Sequence, residues 1–578
     1  MEDIVLEQSE EGHKIIKLPD LSEEEKNIID PLVAPTSGLR IQILDIKKYE
    51  GKECYILTKR KFFLFLRMFK AISQVFREMK ENKELKIFIF TDDRPTKDIL
   101  LDYCSKIFAF DGYTIYYQKD IEKESKISSP YGAASIALYD NINLIIVLTA
   151  SHNDLSWDGI KLYIDYPIPI SGDLLKNISK KALDVKEIPL KSDFTPVRLD
   201  AEQKNNEYVI NLLSRVIDIK CIKNSNIVIW PYLGEARGIV NLFKYYGANV
   251  TVVDEQLNPP NPLKYVKEEK LQNIMDKADS NIALLLDADR DRIVLYVKQN
   301  GKYYTYIPNE IYSAMHNILA NEFNKNIINV RTIPSDLRGD NTSFINILTG
   351  VGYKHLGVIL YFLLGIDVDQ SKIDTSILYF EDENGNLIKI NNAAPLRQQI
   401  IKLMERQHIE KESFLMVFWE ESGGHTLNIL DVYKDKETNE YKFTTDFTII
   451  ADKYPVPALV LITELICKGH IISESIDFSI KGINDTIPAI DEEKIKIMKN
   501  FEKNDGKPID INGKNYDVQA LSDNNNMIDI YQLKSENSTL YFRPSGTGPE
   551  VRFYIFGNVE TYLDELKKVQ NYVRDNYT

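Results

Sequence analysis

The sequence predicts a multidomain α/β protein. From Ile41 onward apolar strand-like runs alternate with helix-like stretches, and after Asp452 the pattern turns to polar α+β sequence. The 578 residues exceed what one core usually serves, so three to four domains of roughly 100 to 200 residues each are expected. Residues 1–30, with the charged run Glu23-Glu24-Glu25-Lys26, read as an N-terminal extension with one helix and no chemistry. Residues 60–80 place Phe65, Phe69, Ile72 and Phe76 on one helical face, while 87–90 (IFIF) and 143–148 (NLIIVL) are apolar runs of strand length. A second domain begins near 205, where 226–230 (NIVIW) and 249–253 (NVTVV) flank a helical stretch in a βαβ-like unit. A third holds helices at 307–324 and 396–407 and a buried strand at 414–419 (FLMVFW). The last has a helix at 458–468, an exposed loop at 523–526, strands at 540–542 and 551–556 and a closing helix at 560–573. The expected segments are thus 1–30, 31–204, 205–305, 306–452 and 453–578.

Bulk properties narrow the function. No apolar run approaches the ~20 residues needed to cross a bilayer, and the acidic start lacks the basic and apolar regions of a secretory signal. A net charge of −15 argues against nucleic acid or anionic membrane as partner. Cys54, Cys104, Cys221 and Cys467 make no metal spacing and read as reduced thiols, which places the chain in the cytoplasm by default.

Four polar loops stand out. Leu148-Thr149-Ala150-Ser151-His152-Asn153-Asp154 puts a hydroxyl nucleophile where a buried strand surfaces, although Ser-His-Asn is also common turn chemistry. Asp287-Ala288-Asp289-Arg290-Asp291-Arg292 directly follows a strand at 282–286; three alternate carboxylates can converge on one hard cation such as Mg²⁺, or pair with the two arginines. In Glu420-Glu421-Ser422-Gly423-Gly424-His425, Glu420 and Ser422 can accept from and donate to a vicinal diol, or simply close an acidic turn. Arg543-Pro544-Ser545-Gly546-Thr547-Gly548-Pro549, with Arg552 beyond, offers backbone N–H groups, hydroxyls and a guanidinium fork to a phosphate.

In this order the four loops resemble those of the α-D-phosphohexomutases, the phosphoglucomutase and phosphomannomutase superfamily. Thr36-Ser37-Gly38-Leu39-Arg40 resembles the family's opening phosphate-facing segment, and Thr349-Gly350-Val351-Gly352-Tyr353-Lys354 a further substrate-facing loop. The likeness spans Thr36 to Arg552. It implies three related α/β domains plus a C-terminal α+β domain around a central cleft, with rotation of the last domain about a hinge at 453–460. It implies that Ser151 carries a phosphoryl group and that Ser151, Asp287, Asp289 and Asp291 hold Mg²⁺. His152 and Arg292 would support that site, Arg40 would face the phosphoserine, and Lys161 would transfer a proton, its pKa lowered by neighbouring cations. Arg543, Ser545, Gly546 and Thr547 would hold the non-reacting phosphate, Glu420 and Ser422 the sugar hydroxyls, and Arg292, Lys354 and Arg552 would also bind the substrate. Asp154, Asp158, Trp419 and Gly548 depart from the family pattern without removing a reacting group.

The resemblance implies a phosphoglucomutase that interconverts glucose 1-phosphate and glucose 6-phosphate through glucose 1,6-bisphosphate, as a monomer or homodimer. The same mechanism on mannose, N-acetylhexosamine or pentose phosphates is a second expectation. A non-catalytic sugar-phosphate-binding or structural protein is the alternative of another class, and it predicts the loss of a reactive group that this sequence retains.

Overall fold

The computed structural model describes residues 6–8, 14–31, 39–49, 52–80, 84–119, 124–369, 371–372, 378–381, 387–390, 392–522, 527–545 and 549–577. The expected loop at 523–526 lies outside them. The fold is mixed α/β, and the chain packs as two compact units. The first comprises Met1–Tyr306, Asp369–Asp374 and Thr448–Cys467; the second comprises Ile307–Val368, Thr375–Phe447 and Lys468–Thr578.

In the first unit a six-stranded sheet runs in the order Val197–Leu199, Thr114–Gln118, Lys86–Thr91, Leu144–Leu148, Trp157–Ile164 and Leu39–Gln42. The first four strands are parallel, Trp157–Ile164 returns antiparallel to Leu144–Leu148, and Leu39–Gln42 is in turn antiparallel to Trp157–Ile164. A five-stranded sheet follows the same plan: Asn249–Val252, Asn226–Trp230 and Ile282–Leu286 are parallel, Ile293–Gln299 returns antiparallel, and Lys302–Tyr306 is antiparallel to it in turn. Parallel strands covered on both faces need continuous apolar sequence, which Leu144–Leu148 and Ile282–Leu286 supply with every residue buried. The helix Lys59–Met79 buries Phe65, Phe69, Ile72 and Phe76 as its periodicity predicts, each phenyl group contributing roughly 1.5–3 kcal/mol of transfer free energy. The extension carries the helix Glu23–Ile29, closed at its start by reciprocal hydrogen bonds between Ser22 and Glu25.

The second unit repeats the plan in a seven-stranded sheet. Its core strands Ile345–Thr349, Ile327–Thr332 and Lys411–Trp419 are parallel, and His425–Lys434 returns antiparallel. Its other sheet is wholly antiparallel, in the order Ile480–Pro488, Glu550–Asn558, Ser538–Pro544, Ile528–Lys534, Lys514–Ser522 and Pro508–Ile511, covered by the helices Asp491–Phe501 and Tyr562–Tyr577. In three sheets, therefore, one of the expected loops is the turn between a central parallel strand and its antiparallel return.

The helix Val456–Cys467 packs with the first unit, against Ala201–Val216, rather than with the C-terminal sheet. The cause is electrostatic: the carboxylate of buried Glu464 accepts the backbone N–H groups of Lys220, Cys221 and Ile222 at 2.9–3.0 Å. Among the described residues no helix is long and apolar enough to cross a membrane.

Replacing Glu464 by Ala strands these donors inside the protein. A loss of about 2–4 kcal/mol is expected for the first unit, read as an earlier unfolding transition in urea.

Candidate active site

The strand Leu144–Leu148 pairs in register with Lys86–Thr91, so residues 92–94 emerge beside residues 149–151. Ser151 is fully buried and has φ +54, a left-handed conformation that costs a non-glycine residue about 1–2 kcal/mol. Thr149 Oγ1 accepts the Ser151 N–H at 2.9 Å and donates to Asp92 Oδ2 at 2.7 Å. The fully buried guanidinium of Arg94 donates to the carbonyl oxygens of Ser151, Asn153, Asp154 and Trp157, and its Nε donates to Asp92 Oδ2. Hydrogen bonds from a charged donor contribute about 1.5–3 kcal/mol each, so this clamp outweighs the strain at Ser151. Burial pushes Asp92 up to about 7 against the opposing pull of Arg94.

The second loop brings Asp287, Asp289 and Asp291 together, all buried, with one oxygen of each within 4.8 Å of the others. Asp287 Oδ1 accepts the N–H groups of Asp291 and Arg292 at 3.1 Å, and its Oδ2 lies 3.4 Å from Ser151 Oγ. Arg290, at φ +61, folds back to the Ala288 and Leu233 carbonyls and to Asp93 Oδ2 at 3.0 Å. Burial and the other two carboxylates push Asp287 well above the usual carboxyl range. Burial works the same way on Asp291, but Lys453, Lys161 and Arg292 outweigh it and hold that group low. Among the described residues Asp289 Oδ1 and Asp291 Oδ1 accept no hydrogen bond. Three converging carboxylates with orphaned buried oxygens form the hard, all-oxygen donor set that suits Mg²⁺.

The remaining expected groups of the first unit surround these two loops. His152 Nδ1 is 3.2 Å from Ser151 Oγ, and burial with Arg292 and Arg40 nearby pushes the imidazole down to about 2, so it is neutral. Arg40 lies within the field of Asp289, Asp291 and Arg292, and its Nε has no hydrogen-bond partner among the described residues. Arg292 Nε is 3.6 Å from Asp291 and 3.8 Å from Asp287. Lys161 corrects an expectation. Its neighbours are carboxylates rather than cations: Nζ donates to Ser129 Oγ and Asp289 at 2.8 Å and to Asp291 at 3.2 Å. Burial disfavours the ammonium, but Asp289 and Asp291 prevail and raise its pKa.

In the second unit the loop after Lys411–Trp419 turns through Gly423 at φ +110, and Ser422 Oγ donates to Glu420 Oε1. His425 is fully buried and meets His316 Nε2 to Nε2 at 3.0 Å, behind the loop. Lys354 is the second residue of the helix Tyr353–Leu364. Arg543 is half-buried and lies within the field of Tyr554, Asp529 and Glu421. Ser545 N–H donates to the Glu550 carbonyl, and Arg552 Nε donates to the Glu550 carboxylate. Gly546 and Thr547, like Thr36, Ser37 and Gly38, lie outside the described residues.

The sequence profile of the phosphoglucomutase/phosphomannomutase α/β/α domain I matches residues 57–188. A phosphomannomutase of Escherichia coli is 28% identical over 170 residues, 26% of this chain and 36% of that protein, so the chain spans about a third of the length of that curated relative. Residues 57–188 are thus similar to domain I of the phosphoglucomutase/phosphomannomutase family. The fold agrees with two solved structures. Parafusin, a phosphoglucomutase of Paramecium in an open form, superimposes with TM-score 0.58 at 14% identity, covering 97% of this chain and 96% of that one. A phosphoglucomutase/phosphomannomutase family protein of Burkholderia thailandensis gives 0.56 at 13%, covering 96% and 99%.

Around these loops, Asp92, Arg94, Asp93, Ser129 and Lys453 belong to no motif of the sequence. The one available signal is the run Thr91-Asp92-Asp93-Arg94, charged directly after an apolar strand; its role follows only from that strand lying beside Leu144–Leu148. Arg94→Lys keeps the charge but loses the fork. Amide hydrogen exchange over residues 150–157 is expected to quicken by about 10- to 100-fold, while the helix Lys59–Met79 stays unchanged.

Proposed function

We propose that the protein is a phosphoglucomutase, interconverting glucose 1-phosphate and glucose 6-phosphate by way of a phosphorylated Ser151. The observation that carries this reading is Ser151 Oγ lying 3.4 Å from Asp287 in the three-aspartate cluster, with a lysine and a neutral imidazole beside it. Asp287, Asp289, Asp291 and Ser151 would hold Mg²⁺, which when bound neutralises charge on the phosphoryl group in transit.

The chain's own groups then divide the work. From phosphoserine, the Ser151 Oγ–P bond breaks as a sugar hydroxyl oxygen bonds to phosphorus, and the proton that the sugar hydroxyl loses is matched by one gained on Ser151 Oγ, giving the free serine and glucose 1,6-bisphosphate. In the return step Ser151 Oγ takes the other phosphoryl group, its hydroxyl hydrogen directed to His152 Nδ1. The Lys161 ammonium relays the protons in both halves: Nζ gives one to the oxygen that is released, Ser151 Oγ first and the sugar oxygen second, and recovers one from the hydroxyl that attacks, so each half ends with Lys161 protonated. Arg40 and Arg292 face charge on the phosphoryl group. In the second unit Glu420 and Ser422 would bind hydroxyls of the sugar ring, while Arg543, Ser545, Gly546, Thr547, Lys354 and Arg552 would grip the phosphate that is not reacting. That Cys54, Cys104, Cys221 and Cys467 form no disulfide supports a reducing, cytoplasmic setting.

Conversion of glucose 1-phosphate with Mg²⁺ and trace glucose 1,6-bisphosphate tests the proposal. Wild type is expected to turn over, and Ser151→Ala to lose at least about 10³-fold together with phosphoryl mass on the peptide containing residue 151. A folded wild type inactive on glucose phosphates but active on mannose, N-acetylhexosamine or pentose phosphates would move the substrate and keep the mechanism. Inactivity on all of them would overturn it.

Asp289→Asn should raise the Mg²⁺ concentration for half-maximal activity by about tenfold or more, with the unfolding midpoint retained; an unchanged Mg²⁺ dependence would remove the aspartates from the metal site.

A further inference from the structure

The first unit contains a cavity of about 660 Å³ whose wall includes Arg290 but neither Ser151 nor the three aspartates. It lies at the carboxyl ends of parallel strands. Gly234 and Arg237 follow Asn226–Trp230, Asp254 follows Asn249–Val252, and Arg290 follows Ile282–Leu286. The strand order here reverses between Asn226–Trp230 and Ile282–Leu286, the place where open α/β sheets take up ligands. Two helices start at the wall: Arg237–Tyr245, and Ser129–Leu138 with Ser128 as its cap.

The wall has polar capacity to spare. Ser128 is 9% exposed and its Oγ has no hydrogen-bond partner among the described residues; Arg290 is 3% exposed and its Nε likewise has none. Lys126 lies 3.4 Å from Asp93 and 3.0 Å from Glu124, Lys97 lies 3.5 Å from Glu124, and Arg237 lies 2.9 Å from Glu202. Because carboxylates accompany these cations, a bare anion gains little here. A ligand that combines a phosphoryl group with hydroxyls and an apolar ring matches the mixture, since Asp254 can accept from hydroxyls and Val252, 37% exposed, offers apolar surface.

We propose that this cavity is a second site, separate from the Ser151 loop, for a nucleoside phosphate. The phosphoryl group sits at the start of Arg237–Tyr245 between Arg237 and Lys126, where backbone N–H groups and the helix dipole favour negative charge, and the ribose hydroxyls bind Asp254.

Calorimetric titration of the full chain with AMP tests the site without reading mutase activity. Saturable one-to-one binding is expected, weakened about tenfold or more by Arg237→Gln and by Lys126→Ala, whose side chains are 40% and 30% exposed and leave the core intact. Binding should persist with glucose 6-phosphate present, and inorganic phosphate should bind about tenfold or more weakly than AMP. Asp254→Ala should narrow that gap. Absence of binding at millimolar AMP, binding indifferent to both basic substitutions, competition by glucose 6-phosphate, or inorganic phosphate equal to AMP would each overturn the proposal.

Discussion

The candidate site of the first unit depends on one buried ion pair. Arg94 is fully enclosed, so its charge is tolerable only because Asp92 answers it and because the loop carbonyls absorb its remaining donors. In return the loop is pinned at Ser151, Asn153, Asp154 and Trp157. A serine at φ +54 persists when its surroundings over-determine it, and Arg94 provides that constraint. The Ser151 hydroxyl is thereby aimed at Asp287 without the mobility an exposed loop would have.

The second loop solves the same problem with its own side chain. Arg290 also adopts a left-handed conformation, and its guanidinium reaches Asp93, the neighbour of Asp92. Adjacent carboxylates after one strand thus brace the serine loop and the aspartate loop. Gly234 is tied to this arrangement: a Cβ there would stand 1.8 Å from Asp93 Oδ2, and its φ is +69. The tight packing couples both loops to the carboxyl edge of Lys86–Thr91 and Asn226–Trp230.

Architecture explains why the loops can be so exacting. In three sheets a parallel central strand returns as an antiparallel neighbour, so both ends of the polar turn are fixed by ladder hydrogen bonds. Reactive side chains placed on such turns inherit the rigidity of the sheet. In the second unit the turn is backed by aromatic packing instead, with Tyr312 donating to the Gly423 carbonyl and its ring 4.6 Å from that of His425. Buried His425 therefore serves the loop from behind, as part of the core.

Sequence alone determined where each apolar strand ends and which polar residues follow it, because Asp287 and Glu420 end the apolar stretches of the strands Ile282–Leu286 and Lys411–Trp419 and fall in the turns beyond them. That local rule located Ser151, the three aspartates and the Glu420–Ser422 turn. Tertiary structure alone decided what surrounds them. Arg94 matters because Thr91 pairs beside Leu148, and Lys161 stays protonated because residues far along the chain place Asp289 and Asp291 against it. The helix Val456–Cys467 joins the first unit because Glu464 finds three N–H groups at residues 220–222. Each of these depends on partners more than fifty residues distant, where periodicity and motif spacing carry no information and electrostatic pairing in a low-dielectric interior decides.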